Sequence, residues 1–431
     1  RALATHEAAG DMEGLLRVTA RIGRTYALRG TPRAGIDRLR PLLERLERLD
    51  DEGASTPTRG LAALYLAVAN LHKVGGAYAE QLTAAERAAT IARAIADDRL
   101  TAEAEMRHGN ALLMLGRNEE GVRVLERALP LIETAGDSAI LAHALNNLGV
   151  FHEGRGDFER THKLAAGALA AAELSGDPTL VAFMVQRRGF NAFCLGHWDA
   201  AGRDLERAVA LAREFGATWA TAYPLIGLGT LRVAQGRTAE GMRCLEEAAA
   251  LAEDSGDEQA QQLVQNVLAE RDLVAGRPAD ARARIEPWLA MPEGERDVTM
   301  VLPLLAWAYV DLGDDARAEA VLARAEARVR DESLPPSVME VSRVRALLAI
   351  RQGRRADALL AIGQALTIAR SLAYPHGHAK SLYTAGLVYL RDGKTEQARA
   401  CLTAARTTLG MLGERLYGEP VEDLLASLPD E

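Results

Sequence analysis

The chain is 431 residues long, 48% hydrophobic but only 4% aromatic, with a formal net charge of −9. No basic field runs along it, which argues against nucleic acid as a partner, and no apolar run approaches the roughly 18 residues of a membrane span. Three cysteines, Cys194, Cys244 and Cys401, are too few for a disulfide framework; with no signal peptide, a cytoplasmic protein without a membrane partner is expected.

The first residues, Arg1-Ala-Leu to Gly10-Asp11, align without a gap on Arg127-Ala-Leu to Gly136-Asp137. They read as the tail of a second helix whose hairpin partner is missing, and no initiator methionine precedes them. A fragment of a longer protein, cut inside an array, is expected. In the next helix Arg17, Arg21 and Arg24 fall at i, i+4 and i+7 on one face. They are candidates for an anion site or an interdomain contact, beside the plainer reading of a solvated charged face. That helix ends at Gly30, and Asp50–Pro57 reads as a polar, extended loop.

Gly76 then opens a series. Gly116, Gly156, Gly196, Gly236 and Gly276 follow at 40-residue intervals, and Gly313, Gly353 and Gly393 resume it after one 37-residue step. Self-similarity at a fixed period is the mark of a repeat architecture. Each period holds a helix ending at the glycine, which can take the left-handed conformation without a Cβ clash. A second helix ends near a Gly-Asp pair such as Gly136-Asp137, Gly176-Asp177 or Gly256-Asp257, whose aspartate suits the start of the next helix. Small residues recur seven before the turn glycine (Gly109, Gly189, Gly229) and five after it (Gly121, Ala201, Gly241). A mid-helix glycine costs about 1 kcal/mol against alanine, so close approach of the two helices of a hairpin is expected. Apolar residues nine after the glycine, among them Leu125, Leu205 and Leu245, are expected to fill the space between hairpins.

This pattern resembles the tetratricopeptide repeat (TPR), whose hairpin carries a small residue and a glycine in its first helix, then alanine or glycine and a leucine. The resemblance spans nearly the whole chain and implies an all-α fold, an α-α superhelix of about ten hairpins forming a single TPR-like solenoid over residues 1–431. The period is 40 residues rather than the family's ~34, which implies longer helices. That longer form looks like the sensor arrays of bacterial STAND signal-transduction ATPases, of the maltose-regulator type.

All six phenylalanines fall between positions 151 and 215, with Trp198 and Tyr223 in or beside that window. Phe183, Phe190 and Phe193 share one face of a first helix, the face the resemblance makes concave. They read either as filler between first helices or as an aromatic-lined pocket. Asn110, Asn147 and Arg187 occupy concave positions and match three of the five groups of the TPR carboxylate clamp; amides and a guanidinium fork suit a carboxylate. The clamp's two lysine positions are Met106 and Phe183 here, so a full clamp is absent. His143 and Glu153 on the same face read as a polar rim. Pro287, Pro292 and Pro303, around Glu293–Asp297, shorten one helix and suggest a bend between sub-arrays 1–291 and 298–431. Pro420–Leu428 reads as a short amphipathic helix capping the array.

Gly393-Lys394-Thr395 imitates the end of a phosphate-binding loop, but Val388 stands where its first glycine should be. His376 and His378 have no cysteine or carboxylate cluster beside them, and no nucleophile–base pair stands out. No catalytic residue, metal or cofactor is therefore expected. The expectation is a sensing domain that takes a protein, peptide or small-molecule effector in its concave groove and biases an NTPase domain upstream in cis. The alternatives are a constitutive TPR interaction scaffold or a peptide-pheromone receptor.

Overall fold

The computed structural model describes residues 2–51, 56–216, 218–289, 299–332 and 334–429. Among them the chain is all-α, 22 helices and no strand, an α-α superhelical repeat fold. The helices begin with α1 (Ala2–Ala8), α2 (Met12–Leu28), α3 (Pro32–Asp51), α4 (Arg59–Val74), α5 (Tyr78–Ala94), α6 (Asp98–Met114) and α7 (Asn118–Ala135). There follow α8 (Ser138–Gly154), α9 (Phe158–Ser175), α10 (Pro178–Cys194), α11 (Trp198–Glu214), α12 (Thr218–Ala234), α13 (Thr238–Ser255) and α14 (Glu258–Val274). The last are α15 (Pro278–Leu289), α16 (Val301–Leu312), α17 (Asp315–Glu332), α18 (Pro335–Arg351), α19 (Arg355–Ser371), α20 (Pro375–Arg391), α21 (Thr395–Leu412) and α22 (Gly418–Ser427).

The helix ends follow from local chemistry. Gly30 and every glycine of the series take a positive φ, from +67° at Gly30 to +81° at Gly196 and Gly313. At Gly116 the turn closes by two backbone bonds, Gly116 N–H to the Leu113 carbonyl (3.1 Å) and Arg117 N–H to that of Leu112 (2.9 Å), satisfying carbonyls a helix C-terminus leaves free. The aspartates start the next helices: Asp97, Asp137 and Asp257 accept from the backbone N–H of Leu100, Ile140 and Ala260 at 3.0–3.2 Å. α3 runs on to Asp51, so the expected Asp50–Pro57 loop starts later, and residues 52–55 lie outside the described ones.

Close approach within hairpins is reciprocal. A Cβ on Gly109 would stand 2.6 Å from Leu125 Cγ, and one on Gly121 would stand 2.9 Å from the Gly109 carbonyl oxygen. Gly229, Gly241 and Leu245 repeat the arrangement. Leu125 and Leu245 therefore seat inside their own hairpins, over the first-helix glycine. Leu205 also fills the space between hairpins as expected, 3.1 Å from a Cβ on Gly189 of its own hairpin and 2.8 Å from one on Gly227 of the next. Their near-zero exposure follows from these seats.

Two compact units make up the chain, Arg1–Phe151 with Ala170–Gly176, and His152–Leu169 with Asp177–Glu431. The core of the first runs from Leu16 to Ala104; the largest core of the second runs from Ala269 to Leu428. The expected boundary between 1–291 and 298–431, with Pro292 and Glu293–Asp297, lies outside the described residues. Pro287 sits in the last turn of α15 and Pro303 in the first turn of α16, and these two helices pack on each other inside the second unit. Within that unit, later hairpins reach back onto the turns of earlier ones. A Cβ on Gly196 would stand 2.8 Å from Pro375 Cγ and one on Gly236 would stand 2.9 Å from Arg415 Cβ.

Candidate functional site

Residues thirteen, nine and six positions before each turn glycine form one face of a first helix, because those steps return to the same side at 3.6 residues per turn. In the first unit this face carries Arg17, Glu103, Arg107, Asn110, His143 and Asn147. Asn110 accepts from Gln81 Nε2 at 3.0 Å and donates Nδ2 to Asn147 Oδ1 at 3.2 Å; Asn147 Nδ2 in turn reaches Met106 Sδ at 3.7 Å. This amide relay is the reason two mid-helix asparagines sit here, joining α5, α6 and α8. Arg107 pairs with Glu103 at 2.8 Å and donates to Asn70 Oδ1 at 3.0 Å. Desolvation raises the Glu103 carboxyl, but the Arg107 cation and its hydrogen bond outweigh that, and the net shift is downward.

His143 stands close to this pair. Desolvation, with the Lys73 and Arg107 cations, lowers its imidazole to about 3, so the ring is neutral at physiological pH. Lys73 is exposed by area yet crowded by neighbouring atoms, and that crowding, with Arg107, lowers its ammonium. Arg17, Arg21 and Arg24 are exposed on α2, where Arg17 acts on Asp11 and Arg24 on Glu103. The structure thus groups Asn110, Asn147 and His143, with an arginine stripe on the first-helix face of the same unit.

In the second unit the same slots begin with Phe183, Arg187 and Phe190 on α10. Arg187 pairs with Glu153 and its guanidinium lies 5.8 Å from the Phe190 ring centroid. The carboxylate expected on the rim therefore already faces the expected guanidinium. Phe183 and Phe190 are half-buried. Phe193, one turn on, is buried and stacks on Trp198 at 5.2 Å and 11°, while Trp198 Nε1 donates to the Phe193 carbonyl at 3.1 Å. Phe190 packs against the edge of the cluster that holds Phe193 and Trp198, so these two phenylalanines differ in burial more than in neighbours. Tyr223, on α12, is apart from them: its hydroxyl lies 3.3 Å from both Asp257 Oδ1 and Gln259 Oε1 at the start of α14.

A polar group of the second unit lies outside the residues the sequence singles out as candidates. Lys380 Nζ lies 2.6 Å from Glu270 Oε1 and 3.2 Å from Glu340 Oε1; Arg343 pairs with Glu340 and donates Nε to Thr384 Oγ1 at 3.0 Å. Desolvation opposes charge on Glu270, yet the Lys380 ammonium and the hydrogen bonds of Lys380 and Tyr417 win, holding it down to about 2. Arg343 is likewise penalised by burial, but Glu340 keeps its cation favoured. His376 sits beside them, its ring edge-on to Trp198, Phe193 and Tyr417 at 5.5, 5.8 and 6.1 Å. A signal was available. Glu340 and Lys380 occupy the slot of His143, Phe183 and Tyr223, thirteen before the turn glycine, and Glu270 occupies that of Asn110 and Phe190, six before it.

A family model described as the MalT-like TPR region matches residues 74–388. Among solved structures, a Rap protein complexed with competence and sporulation factor is similar over 85% of this chain and 99% of its own, with a TM-score of 0.64 at 10% identity. The Rap conjugation regulator of plasmid pLS20, in complex with the Phr* peptide, is similar over 88% and 100%, with a TM-score of 0.52 at 11% identity. A STAND protein with a tetratricopeptide repeat sensor from Pyrococcus horikoshii is similar over 86% of this chain but only 55% of its own, with a TM-score of 0.50 at 14% identity. No curated protein sequence matches the chain. At these identities the likenesses establish the fold.

Proposed function

Because the chain belongs to the family of MalT-like TPR regions, we propose that it is the effector-binding array of a bacterial STAND-type signalling ATPase acting in the cytoplasm. One observation carries the reading. The inner slots of the first helices mix Arg, Glu, Asn, His, Phe, Tyr and Lys with apolar residues such as Ala63, Val267 and Leu304, whereas the slots that close each hairpin hold glycine, alanine and leucine or isoleucine. A face used only for packing would be apolar; convergent charges and rings suit a ligand of mixed chemistry. A protein, peptide or small-molecule effector would be held there. It would bias an NTPase domain upstream in cis only as far as it binds one state more tightly than the other. The likeness to the STAND protein with a TPR sensor supports this reading. We assign no catalytic step, metal or cofactor to the array itself.

A second reading, a free-standing peptide receptor or scaffold, draws support from the two Rap complexes, which are similar over nearly their whole length. The gene upstream of Arg1 separates the two. A Gly-x4-Gly-Lys-Ser/Thr loop after a strand, with effector affinity that depends on nucleotide, supports the signalling ATPase. Further repeats alone, with nucleotide-independent binding, would favour the receptor or scaffold. Phe190→Ala should then weaken the effector about tenfold, near 1.4 kcal/mol, with the helical signal intact, and unchanged affinity would take Phe190 out of the site. Phe193→Ala serves as contrast, because its ring is core and its loss should cost roughly 3 kcal/mol of stability.

A further inference from the structure

The chain returns to its own inner face. After Gly413, the N–H groups of Arg415 and Leu416 both point at the carbonyl of Ala234, at 2.7 and 3.4 Å; Ala234 is the last residue of α12, where helix carbonyls lack an internal partner. Tyr417 follows and is fully buried. Its hydroxyl donates to Glu270 Oε1 at 2.7 Å, its ring is edge-on to Tyr383 at 5.5 Å, and Lys380 Nζ lies 5.8 Å from its centroid. The Glu414 carboxylate accepts from the N–H groups of Tyr417 and Gly418 at 3.0–3.1 Å and so starts α22. On either side of the buried Val421 the helix leaves Glu419, Glu422 and Asp423 exposed.

This is how a groove takes a peptide: a main-chain bond for attachment and one deep socket for a side chain. The site also stands without its occupant. Lys380 closes on Glu270 and Glu340, and Arg343 on Glu340, so withdrawing the phenol strands no charge. Neither ring nitrogen of the buried His376 makes a hydrogen bond; its Nε2 faces Glu414 Oε1 of the segment at 3.8 Å, a contact too long for a hydrogen bond. We propose that the inner face around Glu270, His376 and Lys380 is a binding site for a tyrosine-bearing peptide segment, and that Glu414–Leu428 is its resident, displaceable occupant. The proposal rests on the reading of the inner face as an effector site and names the chemistry that part of it selects. An incoming segment must supply a phenol for Glu270 and an N–H for the Ala234 carbonyl. Its apparent affinity is reduced by the fraction of chains in which α22 holds the socket.

The test uses the full chain and a fluorescein-labelled synthetic peptide with the sequence of residues 414–428. Tyr417→Ala should empty the socket, so the peptide should bind that variant at least tenfold more tightly than it binds the wild type, by anisotropy. The same peptide with alanine for its tyrosine should lose that gain. A Tyr417→Ala chain that keeps its helical signal yet shows no tighter binding overturns the proposal. If the variant loses its fold, hydrogen exchange on the wild type decides. Amides of Val421–Leu425 that exchange well before those of α14 and α20 support a displaceable occupant; exchange only with α14 and α20 makes α22 core and ends the idea. Failure here leaves the wider effector reading to the Phe190→Ala assay, which probes a different stretch of the face.

Discussion

Ala96 is the non-glycine residue with a left-handed backbone among those described, at φ +52°. It stands forty residues before Gly136 and eighty before Gly176, in the slot that also holds Gly216, Gly256 and Gly413, all with positive φ. A Cβ in that region costs about 1–2 kcal/mol. Ala96→Gly should therefore raise stability by about 1 kcal/mol after allowing for a looser unfolded chain, read as a higher urea midpoint at unchanged slope. The opposite change, Gly109→Ala, drives a methyl into Leu125 and should cost about 1–3 kcal/mol by overpacking. Titration supplies a third test. His143 has its folded pKa lowered from 6.5 to about 3, first by desolvation and then by Lys73 and Arg107. The unfolded chain therefore binds the proton first as pH falls. This contribution to stability is complete above pH 6.5 and is lost progressively toward pH 3. His143→Gln should flatten the urea midpoint between about pH 6.5 and 5, and an unaltered slope would show that the folded protein accepts that proton. These residue-scale features were largely legible, since φ and helix caps depend on neighbours in sequence. The protonation of His143 was not, because Lys73 and Arg107 reach it from other helices.

At the scale of elements, α14, α18 and α20 meet through Glu270, Glu340, Arg343 and Lys380, and all four charges are largely or fully withdrawn from water. Removing one member of such a group leaves another unpaired, so Lys380→Met should destabilise by about 3 kcal/mol. Adding Glu270→Met should restore part of that loss, since it removes the stranded carboxylate. A double-mutant cycle measures the coupling, and strictly additive effects would mean that Lys380 and Glu270 do not act on each other. Acid should find the same contact. Glu270 is held at about 2 against an ordinary 4.5, so its contribution is present above pH 4.5 and lost as pH falls toward 2. The hairpins themselves were readable from glycine spacing because their helices are joined by short turns. The seat of Leu125 inside its hairpin was not, since spacing names a slot without naming the helix that fills the space above it.

At the scale of the molecule, a simple solenoid has only neighbour contacts, and its repeats can unfold one after another. The second unit departs from that scheme: Glu270 is linked to Lys380 across three hairpins, and Ala234 is linked to Arg415. Amides of α14, α18 and α20 should therefore exchange as one cooperative group, and graded protection from α14 to α20 would restore the neighbour-only picture. The sequence alone determined the repeat, its 40-residue period, most helix ends and which slots share one face of the first helices, because backbone conformation and helix periodicity are set within a few residues. It also placed a short helix at the C-terminus. Only the tertiary structure decided which slots of that face meet, that Phe193 is buried in the cluster while Phe190 stays half-buried at its edge, and that Tyr417 packs at Glu270. Those contacts join residues separated by whole repeats. The small rotation between successive hairpins that brings them together accumulates from packing at each interface, and no local pattern in the chain records the sum.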